Sequence, residues 1–204
     1  MLHERLVADL GSRAADCHLI DGFPIAVCRL ACASRSRVLK AEADYGYCAA
    51  KHEHYYGLKA NLLMDARGVI VGITVTAATV DERDAAYDML QVIAGLLLGD
   101  KGYTRPQFKA DCEAVGIDLQ TSVRKNMIER RPRWWLKLLR RVRKRVETVI
   151  SQLEQRLGLA TTRARDAWHL TIQLTRKILA HTVGVRLNIQ QGREPLQLDG
   201  VVTA

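Results

Sequence analysis

The spacing of the apolar residues changes near residue 81, and this change limits the folds that the chain can adopt. Before that point, strand-like segments cover Cys17–Val27, Ala41–Asp65 and Val69–Ala77. The middle segment reads as one or two strands joined near 50–53, and Asp65-Ala-Arg-Gly68 is a turn signal. These features predict an antiparallel three-strand meander. Pro24 has no N–H for a β-ladder, so it predicts a bulge or the end of the first strand.

After residue 81 the pattern alternates between helices and short strands. Helices are predicted over Asp81–Ile93, Pro106–Val115, Trp134–Leu157 and Arg165–Leu187, and strands over Ala94–Gly99 and Ile117–Val123. The order β-β-β-α-β-α-β-α predicts an α/β fold, a mixed sheet flanked by helices. We expect one domain over 1–190 and a flexible tail over 191–204.

Composition indicates the kind of partner rather than the fold. Hydrophobic residues make up 48% of the 204 residues, which excludes a disordered chain and supplies a sizeable core. The excess of 31 Lys and Arg over 22 Asp and Glu gives a net charge of +9, typical of proteins that bind nucleic acid or an anionic surface. The sequence has no apolar run long enough to span a membrane and no secretory signal pattern, which predicts a cytoplasmic protein with reduced cysteines.

Three acidic residues stand where catalytic sites are often built. Asp21 interrupts an apolar strand, and Asp100 directly follows a buried one, where open α/β sheets place ligands. Glu147 borders the apolar face of the long helix beside Arg143. Three carboxylates suit two Mg²⁺ or Mn²⁺ ions and phosphodiester chemistry. The plainer alternatives are a bulge-stabilising Asp21, a turn-capping Asp100 and an i,i+4 ion pair between Arg143 and Glu147.

Five blocks of sequence in one order resemble the catalytic domain of bacterial insertion-sequence DDE transposases. The blocks are HLIDGFPIAVC (18–28), ADYGYCAAKHEHYYGLKANLL (43–63), LLLGDKGY (96–103), DLQTSVRKN (118–126) and RKRVETVISQL (143–153). The resemblance implies an RNase H-like fold and a metal-dependent catalytic triad of Asp21, Asp100 and Glu147. It also implies hydrolysis at the transposon end, attack of the freed 3′-hydroxyl on target DNA, and a nucleoid-associated location in a bacterial cytoplasm.

The resemblance is incomplete in two places. Related insertion sequences carry Tyr, Arg, Glu and Lys in a fixed spacing, where this chain has Arg140, Arg143, Glu147 and Glu154. The Arg and Glu match, whereas the phosphate contact of the Lys would need Lys144 or Arg156 instead. Only 20 residues precede Asp21, which leaves no room for the helical N-terminal region of full-length members. We therefore expect a truncated copy or one piece of a split reading frame.

Basic residues on both sides of residue 132 are the candidate DNA contacts. The predicted set is Arg124, Lys125, Arg130, Arg131, Arg143 and Lys144, for terminal inverted repeats and target DNA, with a homo-oligomer on DNA as an open alternative. A solvated basic face is the plainer interpretation of these charges. We expect Trp134 and Trp135 to pack in the core, and His169 and His181 to lie on a helix surface.

Other functions remain open on the sequence alone. A zinc site would use Cys28, Cys32, Cys48, His52 and His54, although only the first spacing is typical of zinc. A catalytically inactive DNA-binding remnant and a different RNase H-like nuclease are the two alternatives to a transposase. Metal-dependent nicking would exclude the remnant, and strand transfer would exclude the plain nuclease.

Overall fold

A mixed six-stranded sheet forms the centre of the molecule. The computed structural model describes residues 2–122, 131–160 and 162–200. The strands are β1 (Cys17–Cys28), β2 (Asp44–Cys48), β3 (Glu53–Asp65), β4 (Ile70–Ala77), β5 (Gly95–Gly99) and β6 (Ile117–Thr121). β1, β5 and β6 run parallel, while β3 is antiparallel to β1. β2 pairs with residues 53–57 of β3 and β4 with residues 58–64, so these two strands share one edge of β3. The predicted meander and mixed sheet are confirmed.

In the part of the chain that the structure describes, five α-helices surround the sheet. They are α1 (Leu2–Asp9), α2 (Glu82–Leu90), α3 (Pro106–Ala114), α4 (Arg133–Ser151) and α5 (Ala167–Gln190). The side chains of Asp81 and Asp166 cap α2 and α5 by accepting backbone N–H groups, and Pro106 begins α3 at a position where no N–H is needed. A π-helical turn, Gln152–Arg156, continues α4. Helix α1 was not predicted. None of the helices described here is long and apolar enough to cross a bilayer.

The two faces of the sheet bury separate apolar layers because side chains alternate along a strand. Leu19 and Leu62 pack with α4 and the first half of α5, whereas Ile20 and Leu63 pack with α2 and α3. This arrangement fixes α4 on one face of the sheet, beside the strands β1 and β5.

Strand β1 differs from its predicted form at Pro24. The strand continues to Cys28, and the bulge lies between Ala26 and Cys28. β5 pairs with β1 only as far as Ile20, so that edge of β1 is unpaired at Pro24. A proline without an N–H can therefore lie inside the strand.

Three further predictions about side chains or segments differ from the structure. His181 is buried rather than exposed, with its Nε2 atom 3.0 Å from Gln152 Oε1. Residues 191–200 pack on the domain rather than fray, because Leu198 is buried and Asn188 Nδ2 donates to backbone oxygens of that segment. Trp134 is 67% exposed, whereas its neighbour Trp135 packs against the core as predicted.

Candidate functional site

A cavity of about 360 Å³ opens where β1 and β5 stop pairing, beneath helix α4. Ile20 and Gly99 form the last pair between these strands, and Asp21 and Asp100 follow them directly. Both aspartates line the cavity, and Glu147 lines it from α4. The structure therefore brings the three predicted carboxylates to one place, from two neighbouring strands and one packing helix.

Asp21 is a largely buried carboxyl group on the floor of the cavity. Burial is the main reason that its pKa rises to about 7, and the negative charges of Asp100 and Glu82 raise it further. The backbone N–H of Gly22, which donates to Asp21 Oδ1 at 2.9 Å, and the charge of Arg143 act in the opposite direction. The bulge in β1 lies between Ala26 and Cys28, so Asp21 does not stabilise it.

Asp100 combines a capping role with a place in the cavity. Its Oδ1 atom accepts the backbone N–H of Lys101 at 2.6 Å, which caps the short helical turn Lys101–Tyr103. The same oxygen lies 3.1 Å from Nη2 of Arg143. The capping interpretation is thus correct in geometry and does not exclude a site.

Glu147 and Arg143 do not form the ion pair that their i,i+4 spacing allows. Arg143 instead reaches across to the sheet, where it pairs with Asp100 and donates to Ser122 Oγ at 2.9 Å. Glu147 is exposed in the cavity and has no hydrogen bond or ion pair with the described residues. Its carboxylate is consequently free to accept a ligand.

Glu82, which was not among the predicted site residues, is a fourth carboxylate in the cavity. It lies in the first turn of α2, where an acidic residue is expected simply because it stabilises a helix N-terminus. Burial raises its pKa, while Lys59, whose Nζ atom is 3.8 Å from Glu82 Oε1, lowers it. Lys59 also donates to the carbonyl oxygen of Val80 at 3.1 Å, which holds the ammonium group at the cavity wall.

The chemistry of these side chains fits divalent cations, because Mg²⁺ and Mn²⁺ prefer carboxylate oxygens. Across the described ranges, however, no group of three or more His, Cys, Asp or Glu side chains is arranged to hold a metal ion. Arg143 occupies an oxygen of Asp100, and Lys59 lies beside Glu82. Cys28 and the other residues of the zinc alternative likewise form no such group within the described ranges.

The predicted DNA contacts fall into two groups. Arg124, Lys125 and Arg130 lie outside the described residues. Arg131 donates to Gln120 Oε1 and the Thr121 carbonyl, Lys144 is exposed on α4, and Arg143 is committed to the cavity as described above.

The charges at the far end of α4 are also paired. Glu154, at the position of the signature lysine, accepts a hydrogen bond from Lys51 Nζ at 3.3 Å. Arg156, one of the proposed substitutes, pairs with Asp199. The remaining substitute, Lys144, is exposed on α4.

Comparison with known proteins agrees with this architecture. Residues 11–167 match the family described as transposase DDE domain. Among solved structures, the fold is similar to that of the piggyBac transposase, determined by cryo-EM as a synaptic complex with hairpin DNA. The TM-score is 0.53 at 9% sequence identity, and the match covers 91% of this chain and 51% of that one. The chain thus spans about half the length of this structural relative. No curated protein matches the sequence.

Proposed function

The chain belongs to the transposase DDE domain family, and from that premise we propose that its cavity cuts DNA at transposon ends and joins the freed 3′-hydroxyl to target DNA. The observation that supports this proposal most directly is that Asp21, Asp100 and Glu147 line one cavity. Each comes from a different element, so their convergence is a product of the fold and not of sequence proximity. We also propose that the chain is encoded by a bacterial insertion sequence.

The acidic side chains would bind the metal cofactor of this reaction. Asp21 and Asp100 would hold two Mg²⁺ or Mn²⁺ ions from the sheet, and Glu147 would complete the set from α4. Such ions supply charge stabilisation for the attacked phosphate and for the departing oxygen. For its part, Arg143 must release an oxygen of Asp100, and its guanidinium could then contact a phosphate while Ser122 keeps it in place.

DNA is the partner that the charge of the chain favours. The net charge of +9 and the exposed basic residues of α4 suit contacts to phosphates. The candidate contacts are those predicted from sequence, Arg124, Lys125, Arg130, Arg131, Arg143 and Lys144, together with Lys51 at the rim of the cavity. Trp134, exposed next to this surface, could stack on an unpaired base. Two copies acting on two DNA ends are part of the same proposal.

A single set of reactions tests the proposal. The protein is incubated with labelled DNA carrying the ends of its element, a target plasmid and Mg²⁺, beside Asp21→Asn as the inactive control. Nicking followed by joined products supports a transposase, whereas nicking without joining indicates a plain nuclease. Salt-sensitive DNA binding without either reaction indicates a catalytically inactive remnant and overturns the proposal.

A further inference from the structure

The carboxylate of Glu82 lies against both segments that carry the cavity's aspartates. A Cβ atom built on Gly22, the residue after Asp21, would lie 3.3 Å from Oε1 of Glu82. A Cβ on Gly102, two residues after Asp100, would lie 3.1 Å from its Oε2. These distances are shorter than ordinary van der Waals contacts, so the two glycines leave the space that the Glu82 carboxylate occupies. We call this pair of glycines the glycine cradle.

We propose that Glu82 is a fourth carboxylate of the cation site, positioned by the glycine cradle and paired with Lys59 while no cation is bound. This inference rests on the proposed metal-dependent function of the cavity. It assigns a role to a residue outside the triad, and it explains why a glycine stands close behind each aspartate.

Asn61 supports the proposal independently of the acidic residues. It faces Gly22 across the β1–β3 ladder, and its Oδ1 atom would lie 3.3 Å from a Cβ on that glycine. The side chain is fully buried, and its Nδ2 atom has no hydrogen-bond partner among the described residues. Tyr103 OH donates to the Oδ1 atom at 3.3 Å. The unpartnered Nδ2 group is a hydrogen-bond donor, so it calls for an oxygen acceptor, such as a carboxylate or a water molecule bound to the cation, and does not itself bind the cation.

Lys59 explains how Glu82 is kept in the cavity without a cation. Lys59 and Asn61 are two residues apart on β3 and therefore point to the same face of the sheet. The ammonium group of Lys59 neutralises part of the charge of Glu82 and would repel an incoming divalent cation. The two residues should therefore have opposite effects on cation affinity. Because opposite signs follow from the two charges alone, it is the size of the loss in Glu82→Gln that identifies a ligand.

The test is the Mn²⁺ affinity of the purified chain, measured by calorimetry and by the paramagnetic resonance signal of free Mn²⁺. We expect Glu82→Gln to weaken binding by about 10- to 100-fold, and Lys59→Met to strengthen it several-fold. Asp84→Asn is the matched control, because Asp84 lies on the same helix but pairs with Arg105 away from the cavity. The Mn²⁺ affinity of the Asp84→Asn variant should equal that of the wild type.

The glycine cradle provides a second and subtler variant. Gly102→Ala should force the Glu82 carboxylate to move by a few tenths of an ångström and weaken Mn²⁺ binding by less than Glu82→Gln does. In the Glu82→Gln background, Gly102→Ala should reduce Mn²⁺ affinity much less, since the carboxylate that the alanine displaces is no longer present. Additive losses would overturn the role of the cradle.

The outcomes separate this inference from the proposed function. Equal affinities of the wild type and Glu82→Gln overturn the role of Glu82 and leave the triad untouched. Weaker binding in both Glu82→Gln and Lys59→Met indicates a structural pair and also overturns it. A wild type that binds no Mn²⁺ at millimolar concentration, alone or with DNA, overturns the metal site itself and the proposed function with it.

Discussion

The cavity has a sheet wall, formed by the ends of β1 and β5, and a helix wall, formed by α4. The two walls hold their carboxylates in different ways. On the sheet wall, Asp21 and Asp100 each accept a backbone N–H group directly after paired strands. On the helix wall, Glu147 has no hydrogen bond or ion pair within the described residues. Helix α4 itself is tied to its neighbours by side chains, through Arg143 at the sheet and Gln152 towards α5. The sheet wall is therefore preorganised by the backbone, whereas the helix wall depends on side-chain contacts that single substitutions can remove.

The largest expected effect comes from the carboxylates themselves. Asp21→Asn, Asp100→Asn and Glu147→Gln should each reduce Mg²⁺-dependent nicking by at least about 1000-fold. Mn²⁺ binding should separate the two walls. We expect the sheet-wall variants to lose it, and Glu147→Gln to retain measurable, weaker binding because the preorganised aspartates remain.

The control for these variants is DNA binding in the absence of metal. It should remain salt-sensitive and close to that of the wild type in all three. If Glu147→Gln loses Mn²⁺ binding as completely as Asp21→Asn, the two walls contribute equally and the comparison fails. If a variant nicks normally in a nuclease-free preparation, that residue is not catalytic.

The second prediction concerns acid, which should loosen the helix wall through His181. Burial lowers the pKa of His181 to about 4, from an ordinary value of 6.5. Between these values the unfolded chain binds more protons than the folded one, so stability falls as pH falls from 6.5 towards 4. The loss attributable to this residue is about 3 kcal/mol at the acid end.

Thermal unfolding from pH 7 to pH 4 measures this effect. His181→Gln should flatten the pH dependence of stability. Glutamine stays neutral at every pH, whereas the imidazole of His181 takes up a proton on unfolding in acid. His169→Gln is the matched control, since His169 is exposed in the first turn of α5, where its Nδ1 atom lies 2.8 Å from Oδ1 of the capping residue Asp166. An unchanged slope in His181→Gln would show that other groups govern the acid sensitivity.

The third prediction concerns Arg143, the contact between the two walls. Arg143→Gln removes the pair with Asp100 and the hydrogen bond to Ser122, so we expect stability to fall by about 1 kcal/mol. Nicking should fall by about 10-fold, because without this contact α4 positions Glu147 less precisely relative to Asp21 and Asp100. Arg140→Gln, an exposed change on the same helix, should leave both unchanged. Equal stability of the two variants would mean that α4 is held by its apolar face alone.

Sequence reasoning succeeded where local patterns determine the structure. The turn at Asp65-Ala-Arg-Gly68 and the strand-like segments on both sides of it were sufficient to predict the meander. The two aspartates followed from a charge inside one apolar strand and a charge directly after another. The two walls of the cavity also differ in how far their carboxylates can be predicted from sequence. The aspartates of the sheet wall carry a signal in the sequence, namely a charge at the end of an apolar run.

The features that sequence reasoning missed depend on tertiary contacts. Glu82 has the same local pattern as any acidic residue in a first helical turn, and only the packing of α2 against β3, β4 and the turn Lys101–Tyr103 places it in the cavity. His181 was assigned to the surface because one helix gives no indication that Gln152, in the π-helical turn after α4, contacts it. Trp134 and Trp135 were both assigned to the core, although the apolar face of α4 turns only Trp135 inward.

The smallest expected effect lies at the outer end of the helix wall, where Glu154 holds Lys51. Lys51 follows Ala49 and Ala50, which line the cavity, and its side chain is 46% exposed against 14% for Glu154. A half-exposed ammonium group held at the rim is suited to one phosphate contact. Lys51→Gln should therefore reduce the slope of log affinity against log salt by about 1, without changing nicking of DNA bound at saturation.

A charge swap distinguishes a held ammonium group from a random surface charge. Lys51→Glu should lower the slope, and combining it with Glu154→Lys should restore most of it, since the pair then presents its ammonium group from the helix side. Lys109→Gln is the matched control, because Lys109 pairs with Glu113 on α3, away from the cavity. If Lys109→Gln changes the slope as much as Lys51→Gln, the DNA follows the net charge of the chain and not the rim. If only Lys51 responds and the swap restores the slope, the helix wall also contributes to the DNA surface, through the contact between the π-helical turn after α4 and the β2–β3 turn.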